Sequence, residues 1–290
     1  MRQLPLWPGL RPHWQRVTSL IAWITSFASA RQGGDFAAGD RTSLGLAPEQ
    51  VALIGAVAAA NPRTVVVLMG GGAILSRSWD QQVPGLLLLW YPGEQGGHAL
   101  ADVLFGAVSP SGRLPFAIPA RETQLPPFEP RAPRVHYDLW HGYRRLQRQG
   151  EVPAYPFGFG LSYSRFELSD PAAAVHTVSE VAQGSVELAL TVANVGAMAA
   201  AEVVQVYLEP PGVLLERPRR TLVGFQRLSL NAGERRRLSL TIPLRHLACF
   251  DPQRDAFVLE AGVNQLVFAR HADDAGLPVG VELEECCLGP

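Results

Sequence analysis

Apolar positions follow two different rhythms along this 290-residue chain, and the change of rhythm divides it. In the first part, unbroken apolar runs at residues 64–69 (Thr-Val-Val-Val-Leu-Met) and 86–90 (Leu-Leu-Leu-Leu-Trp) are each followed by a glycine-rich loop. Runs of this length bounded by turn residues suit strands buried on both faces, as in a parallel sheet. Between and around them the period lengthens. Pro48 opens a helix, since its missing N–H costs little at the first turn. Val51, Ile54, Val57 and Ala58 recur at three- and four-residue steps, and Asn61-Pro62 ends the run. Residues 98–105 predict a second helix, closed by Gly106, and the β-branched and aromatic stretch 17–30 predicts a strand around 20–28. Helix–strand alternation of this kind gives a βαβ layout. Pro110-Ser111-Gly112 reads as a turn, and residues 114–118 as a short edge strand flanked by prolines.

From Phe166 onward the apolar residues alternate instead. Strands are expected at 185–193, 202–208, 222–230, 236–242, 256–259 and 263–269, separated by Asn194-Val195-Gly196, Asn231-Ala232-Gly233 and Gly262. Several short strands at this spacing indicate a β-sandwich. The expected organisation is α/β followed by all-β. A partial α/β domain with a mostly parallel sheet spans 17–120, a proline-rich connector 121–165, and the sandwich 166–275.

Composition narrows the function classes. A formal net charge of -1 leaves no electrostatic footprint for nucleic acid. All 25 basic residues are arginine, which removes Schiff-base chemistry and the lysine of a phosphate loop. Cys249, Cys286 and Cys287 form neither a disulfide framework nor a zinc pattern, and read as reduced thiols. The N-terminal residues lack the charged, apolar and small-residue succession of an export signal. The apolar run 20–30 is shorter than the roughly 20 residues a bilayer span needs. A cytoplasmic protein with no membrane contact, no cofactor and no metal is the expectation. The seven histidines include no His-x-x-x-His pair. Glu94 and His98 stand four apart, and read better as solvated side chains at a helix start than as metal ligands.

The phrases "AAANPRTVVVLMGGG", "LLWYPGEQGGHALADVLFG" and "SPSGRLPFAIP" closely resemble the C-terminal α/β domain of glycoside hydrolase family 3, the β-glucosidase and β-xylosidase family. "GYR…YPFGFGLSY" resembles that family's connector, and "VVQVYLEPP…RPRRTLVGFQRLSLNAGERRRLSLTIP" its fibronectin type III-like domain. The resemblance runs from about residue 20 to 270. It implies retaining hydrolysis of β-linked glycosides by two carboxyl groups about 5 Å apart. In most of this family the nucleophilic aspartate sits in an N-terminal (β/α) barrel, and nothing in these 290 residues leaves room for the roughly 250 such a barrel needs.

The family's acid/base glutamate precedes an Asp-Arg pair, which here is Asp40-Arg41. No glutamate occurs before Glu49, so Asp35 is the candidate acid, with a side chain one methylene shorter. Asp40 and Arg41 are candidate substrate-binding residues by the same resemblance. A loop aspartate hydrogen-bonded to nearby backbone is the favoured reading of Asp35. Trp79, Trp90 and Tyr91 are weighed between packing and stacking on a sugar, with packing favoured. Asp102 and Arg113 are expected to make structural hydrogen bonds. Three functions are carried forward. The first is the C-terminal portion of a β-glucosidase, silent alone, that acts on β-linked oligosaccharides or aryl glucosides when a barrel is supplied. The second is a non-catalytic module binding carbohydrate or protein. The third is a subunit working with a separate barrel-containing partner chain.

Overall fold

The computed structural model describes residues 23–25, 43–129, 132–176, 184–212 and 214–288. The chain divides into two compact units. One comprises Met1–Phe105 with Ile118–Val135, the other Gly106–Ala117 with His136–Pro290.

The first unit holds a three-stranded sheet in the order β1 (Trp23–Thr25), β2 (Val65–Met69) and β3 (Gly85–Leu88). Both pairings are parallel, with Trp23 opposite Val67 and Val66 opposite Leu86. Helix α1 (Pro48–Ala60) leads into β2. At its start Gln50 Oε1 accepts the Ala47 N–H at 3.1 Å, satisfying a donor the helix cannot. At its end the Asn61 N–H donates to the Val57 carbonyl at 2.9 Å, and Asn61 Oδ1 accepts the Arg63 N–H at 3.0 Å. That turn is why Asn61-Pro62 stops the helix. The unit's core is Ile54, Val66, Leu68, Ile74 and Trp79, with Leu46, Val51, Val83, Leu86 and Leu88 packed around it. Helix α2 (Gly96–Leu104) follows β3 and buries Leu100.

The second unit is antiparallel throughout its paired strands. One sheet runs β12 (Leu277–Leu283), β11 (Gly262–Ala269), β6 (Ala200–Glu209), β7 (Thr221–Leu230), and a second β4 (Phe166–His176), β5 (Ser185–Asn194), β8 (Arg235–Pro243). A smaller sheet joins β13 (Cys286–Leu288), β10 (Ala256–Leu259) and β9 (Cys249–Asp251). Period-2 alternation on β5 sends Val186, Leu188, Leu190 and Val192 into a core with Val204, Val206, Leu208, Leu266 and Phe268. Asn194 is buried where β5 ends. Its Oδ1 accepts from Ser164 Oγ at 2.6 Å and from the Gly196 N–H at 3.1 Å, so the Asn-Val-Gly turn is fixed from inside.

Among the described residues parallel pairing is confined to the first unit, and the greater part of the sheet structure is antiparallel. Other expectations need correction. Residues 114–118 form no strand. Leu114 exchanges two backbone hydrogen bonds, donating to Phe159 at 2.9 Å and accepting from Gly158 at 2.8 Å. Pro115 and Pro119 leave too few N–H donors for a longer ladder. The connector contains a helix, α3 (Gly142–Gln149), that the apolar pattern does not announce. It packs on the sandwich: Tyr143 stacks on Phe157 at 4.7 Å, beside Tyr207, Val267, Ala269 and Ala272. The sandwich sheet also continues past residue 275 with β12, which registers against β11.

Candidate functional site

Open α/β sheets bind ligands beyond the carboxyl ends of their parallel strands. Among the described residues that edge is made by two loops. Residues 70–73 follow β2. Residues 89–95 follow β3 and lead into α2. The ladder closes with the Leu89 N–H on the Leu68 carbonyl at 2.8 Å. The next residue, Trp90, has φ +58°. A non-glycine residue in this region is held at a cost of about 1–3 kcal/mol and persists only when its surroundings fix it. The surroundings are tight: the Gly96 N–H bonds the Gly93 carbonyl at 3.2 Å, and a side chain at Gly96 would overlap the Pro92 ring. Tyr91 projects from this turn with 79% of its surface exposed. Its ring edge lies on Gly71, where a Cβ would come within 2.8 Å of Tyr91 Cε2.

The three aromatic candidates therefore part company. Trp79 is 1% exposed inside the core and can stack on nothing from solvent. Trp90 is half-buried, and Tyr91 stands in water. Glu94, His98 and Asp102 are exposed, and among the described residues no cluster of three His, Cys, Asp or Glu side chains offers a metal site. Arg113 is placed elsewhere: its guanidinium forms a buried ion pair with Glu202 of β6. Asp35, Asp40 and Arg41 lie outside the described residues.

From Ser43, two residues past Arg41, the chain is described, and it is pinned. Glu122 Oε1 accepts from Ser43 Oγ at 2.5 Å and from the Leu44 N–H at 2.8 Å. The Leu44 carbonyl accepts the Leu75 N–H at 2.9 Å, and Gly45 bridges Leu75 in parallel sense. The Ser43 hydroxyl, then the Leu44 N–H, hold the Glu122 carboxyl below its ordinary value of 4.5. Glu122 is thus an ionised acceptor that fixes a loop, and at neutral pH it has no proton to donate as a general acid. Nothing in its local sequence, Arg-Glu-Thr-Gln, signals that role, because its partners lie 78 and 79 residues away.

Residues 20–163 match the model of the glycosyl hydrolase family 3 C-terminal domain. Residues 202–272 match the fibronectin type III-like domain. The chain carries the C-terminal domains of glycosyl hydrolase family 3. It is 36% identical over 232 residues to a probable beta-glucosidase I of Aspergillus terreus, covering 77% of this chain and 28% of that protein. It is 35% identical over 250 residues to an exo-alpha-(1->6)-L-arabinopyranosidase of Bifidobacterium longum, covering 84% of this chain and 32% of that protein. Among solved structures, beta-glucosidase 3B of Thermotoga neapolitana superposes with a TM-score of 0.78 at 31% identity, covering 87% of this chain and 36% of that one. The chain therefore spans about a third of its family 3 relatives, in their C-terminal part.

These family 3 domains hold the carboxyl-edge loops, while the residues proposed for catalysis precede the first continuous described segment. No described helix is long and apolar enough to cross a membrane.

Proposed function

We propose that these 290 residues are the α/β and fibronectin type III-like portion of a retaining β-glucosidase-type hydrolase. They form one wall of a sugar site, at the carboxyl edge of β2 and β3, that a barrel completes. The observation carrying this reading is the ordered similarity through both domains to relatives named as glycosidases, of which the chain covers only the C-terminal part. In the reaction, a carboxylate from the barrel attacks the anomeric carbon while an acid protonates the departing glycosidic oxygen. The resulting base then takes a proton from water, which releases the sugar. Asp35 is the acid we assign on this chain, and Asp40 and Arg41 bind the substrate. The barrel comes from the same longer polypeptide or from a partner chain.

The test is release of p-nitrophenol from aryl β-glucosides. The 290-residue chain alone should match the buffer blank. The same chain joined to the barrel of a close relative should turn substrate over. Asp35→Asn should then lower kcat/KM on cellobiose by about a hundredfold or more, the usual range for a lost general acid, and spare kcat/KM on aryl glucosides with good leaving groups, whose kcat falls only because the base for water is gone. Equal losses of kcat/KM on both substrate types would remove Asp35 from that role.

The missing glutamate before Glu49 favours a second reading, a module that binds carbohydrate or protein without hydrolysing. A barrel-joined chain that binds cellobiose and leaves it intact would select it.

A further inference from the structure

We propose that Tyr91 is a stacking platform for a pyranose ring of a β-linked glucoside. The assignment rests on the β-glucosidase reading above and adds to it a residue and a mode of recognition. Three features converge on this side chain. It projects into solvent from the end of a parallel strand, with 79% of its surface exposed, at the edge where such sheets take ligands. The backbone beneath it is fixed, because Trp90 holds φ +58° and Gly96 is packed on Pro92. Among the described residues the ring is steadied along its Cε2–Cζ–Oη edge by Gly71, and most of its surface is exposed.

A tyrosine presented in this way loses little conformational freedom when a ligand arrives. Aromatic rings with two rotatable bonds give a large, rigid contact at low entropic cost. The matching surface is flat, apolar and ringed by hydroxyls. A β-glucopyranose has this form, since its ring hydroxyls are equatorial and its axial C–H bonds make one apolar face. Glu94 and Gln95, both exposed in the same loop, supply polar groups for the hydroxyl rim. Gly71 is part of the device, because any side chain there would push the ring off its seat.

Cellobiose is the probe, and saturation-transfer NMR on the full 290-residue chain is the first measurement. Saturating the aromatic protons should mark one face of one glucose unit. Tyr91→Phe should bind as the parent does. Tyr91→Ala should weaken binding by about fivefold or more, the scale of a lost aromatic contact. Gly71→Ala should also weaken it while the melting temperature stays unchanged, which separates ring displacement from misfolding. Failure of the parent chain to bind cellobiose up to its solubility limit overturns the platform, as does Tyr91→Ala binding like the parent.

Hydrolysis by the barrel-joined chain is scored separately. A joined enzyme that cleaves cellobiose with the same KM when Tyr91 is alanine refutes the platform and leaves the β-glucosidase reading intact. A joined protein that binds through Tyr91 and cleaves nothing does the reverse. If Tyr91→Ala lowers the melting temperature of the joined protein and leaves KM alone, Tyr91 is an interdomain contact and no sugar platform.

Discussion

The sandwich encloses its own apolar surface, and the described part of the α/β unit does not. Strands β5, β6 and β11 bury Val186, Leu190, Val206, Leu266 and Phe268 completely between sheets made of the sandwich's own residues. Helix α1 reads Pro-Glu-Gln-Val-Ala-Leu-Ile-Gly-Ala-Val-Ala-Ala-Ala, apolar almost all round, yet it buries only Ile54, and Leu53 stays 49% exposed. A helix with that composition belongs in an interior. The contrast separates two kinds of stability. One unit reaches it through its own strands. The other presents a helix and a three-stranded sheet whose composition exceeds what its described residues cover. Relatives of which this chain spans 28–32% have further chain to lay over such a surface.

The largest expected effect tests the stronger side. Phe268→Ala should cost the sandwich about 4 kcal/mol, because a closed core collapses poorly around a lost ring. Urea unfolding followed by near-ultraviolet circular dichroism reads it. Trp79→Ala should cost the α/β unit about 3 kcal/mol, toward the lower end for a buried aromatic, since a thin core relaxes more easily. Equal losses would break the contrast.

Acid should separate the units by pH window. Burial pushes the His271 imidazole below its ordinary 6.5, against the opposing charges of Asp274 and Asp273 and with help from Arg270 and Arg220. The unfolded chain then binds the proton first, so sandwich stability is full above about pH 6.5 and declines as pH falls through it. His271→Phe should flatten that slope in a series of melts. Glu122, held below 4.5, works in a lower window: its contribution is present above 4.5 and lost as pH falls below it. Exchange of the Leu44 amide should accelerate there, and Glu122→Gln should weaken its protection above that window and match the parent below it.

The smallest effect is the sharpest for α1. Leu53→Ser should change the stability of these 290 residues by no more than about 0.5 kcal/mol, as at any exposed site. A much larger cost in a barrel-joined protein would show that the face is covered there.

The legible parts of the fold were those whose burial repeats. β5 and β8 alternate over most of their length, β6 and β11 are apolar-rich between turn residues, and β2 is an unbroken apolar run, so each stands within two residues of its expected place. The missed elements lack that repetition. β4 contains Asp170-Pro171, a bulge with Asp170 at φ +53°, which breaks the period where pairing resumes. β12 alternates, but through Pro278 and Gly280, which read as loop. α3 is polar and buries only Leu146; its one local sign is Gly150, left-handed at φ +65° just past Arg148. At the candidate site, the strand ends were legible as apolar runs meeting glycine. The separation of Trp79 from Tyr91 was not, because both are aromatic beside a strand and only packing distinguishes them. Asp35, Asp40 and Arg41 rest on resemblance alone.

The pairing of Arg113 with Glu202 bears on how such proteins can be recombined. By sequence, Arg113 belongs to the α/β signature Ser-Pro-Ser-Gly-Arg-Leu-Pro, but its segment, Gly106–Ala117, is built into the sandwich unit. Gly112 and Gly160 meet so closely there that a side chain at Gly160 would overlap the Gly112 carbonyl. A chimaera spliced at the linker near residue 120 would inherit the arginine from one parent and its carboxylate from the other. A stable chimaera should therefore keep Arg113 and Glu202 together, or change both at once, since one partner left alone is a buried unpaired charge.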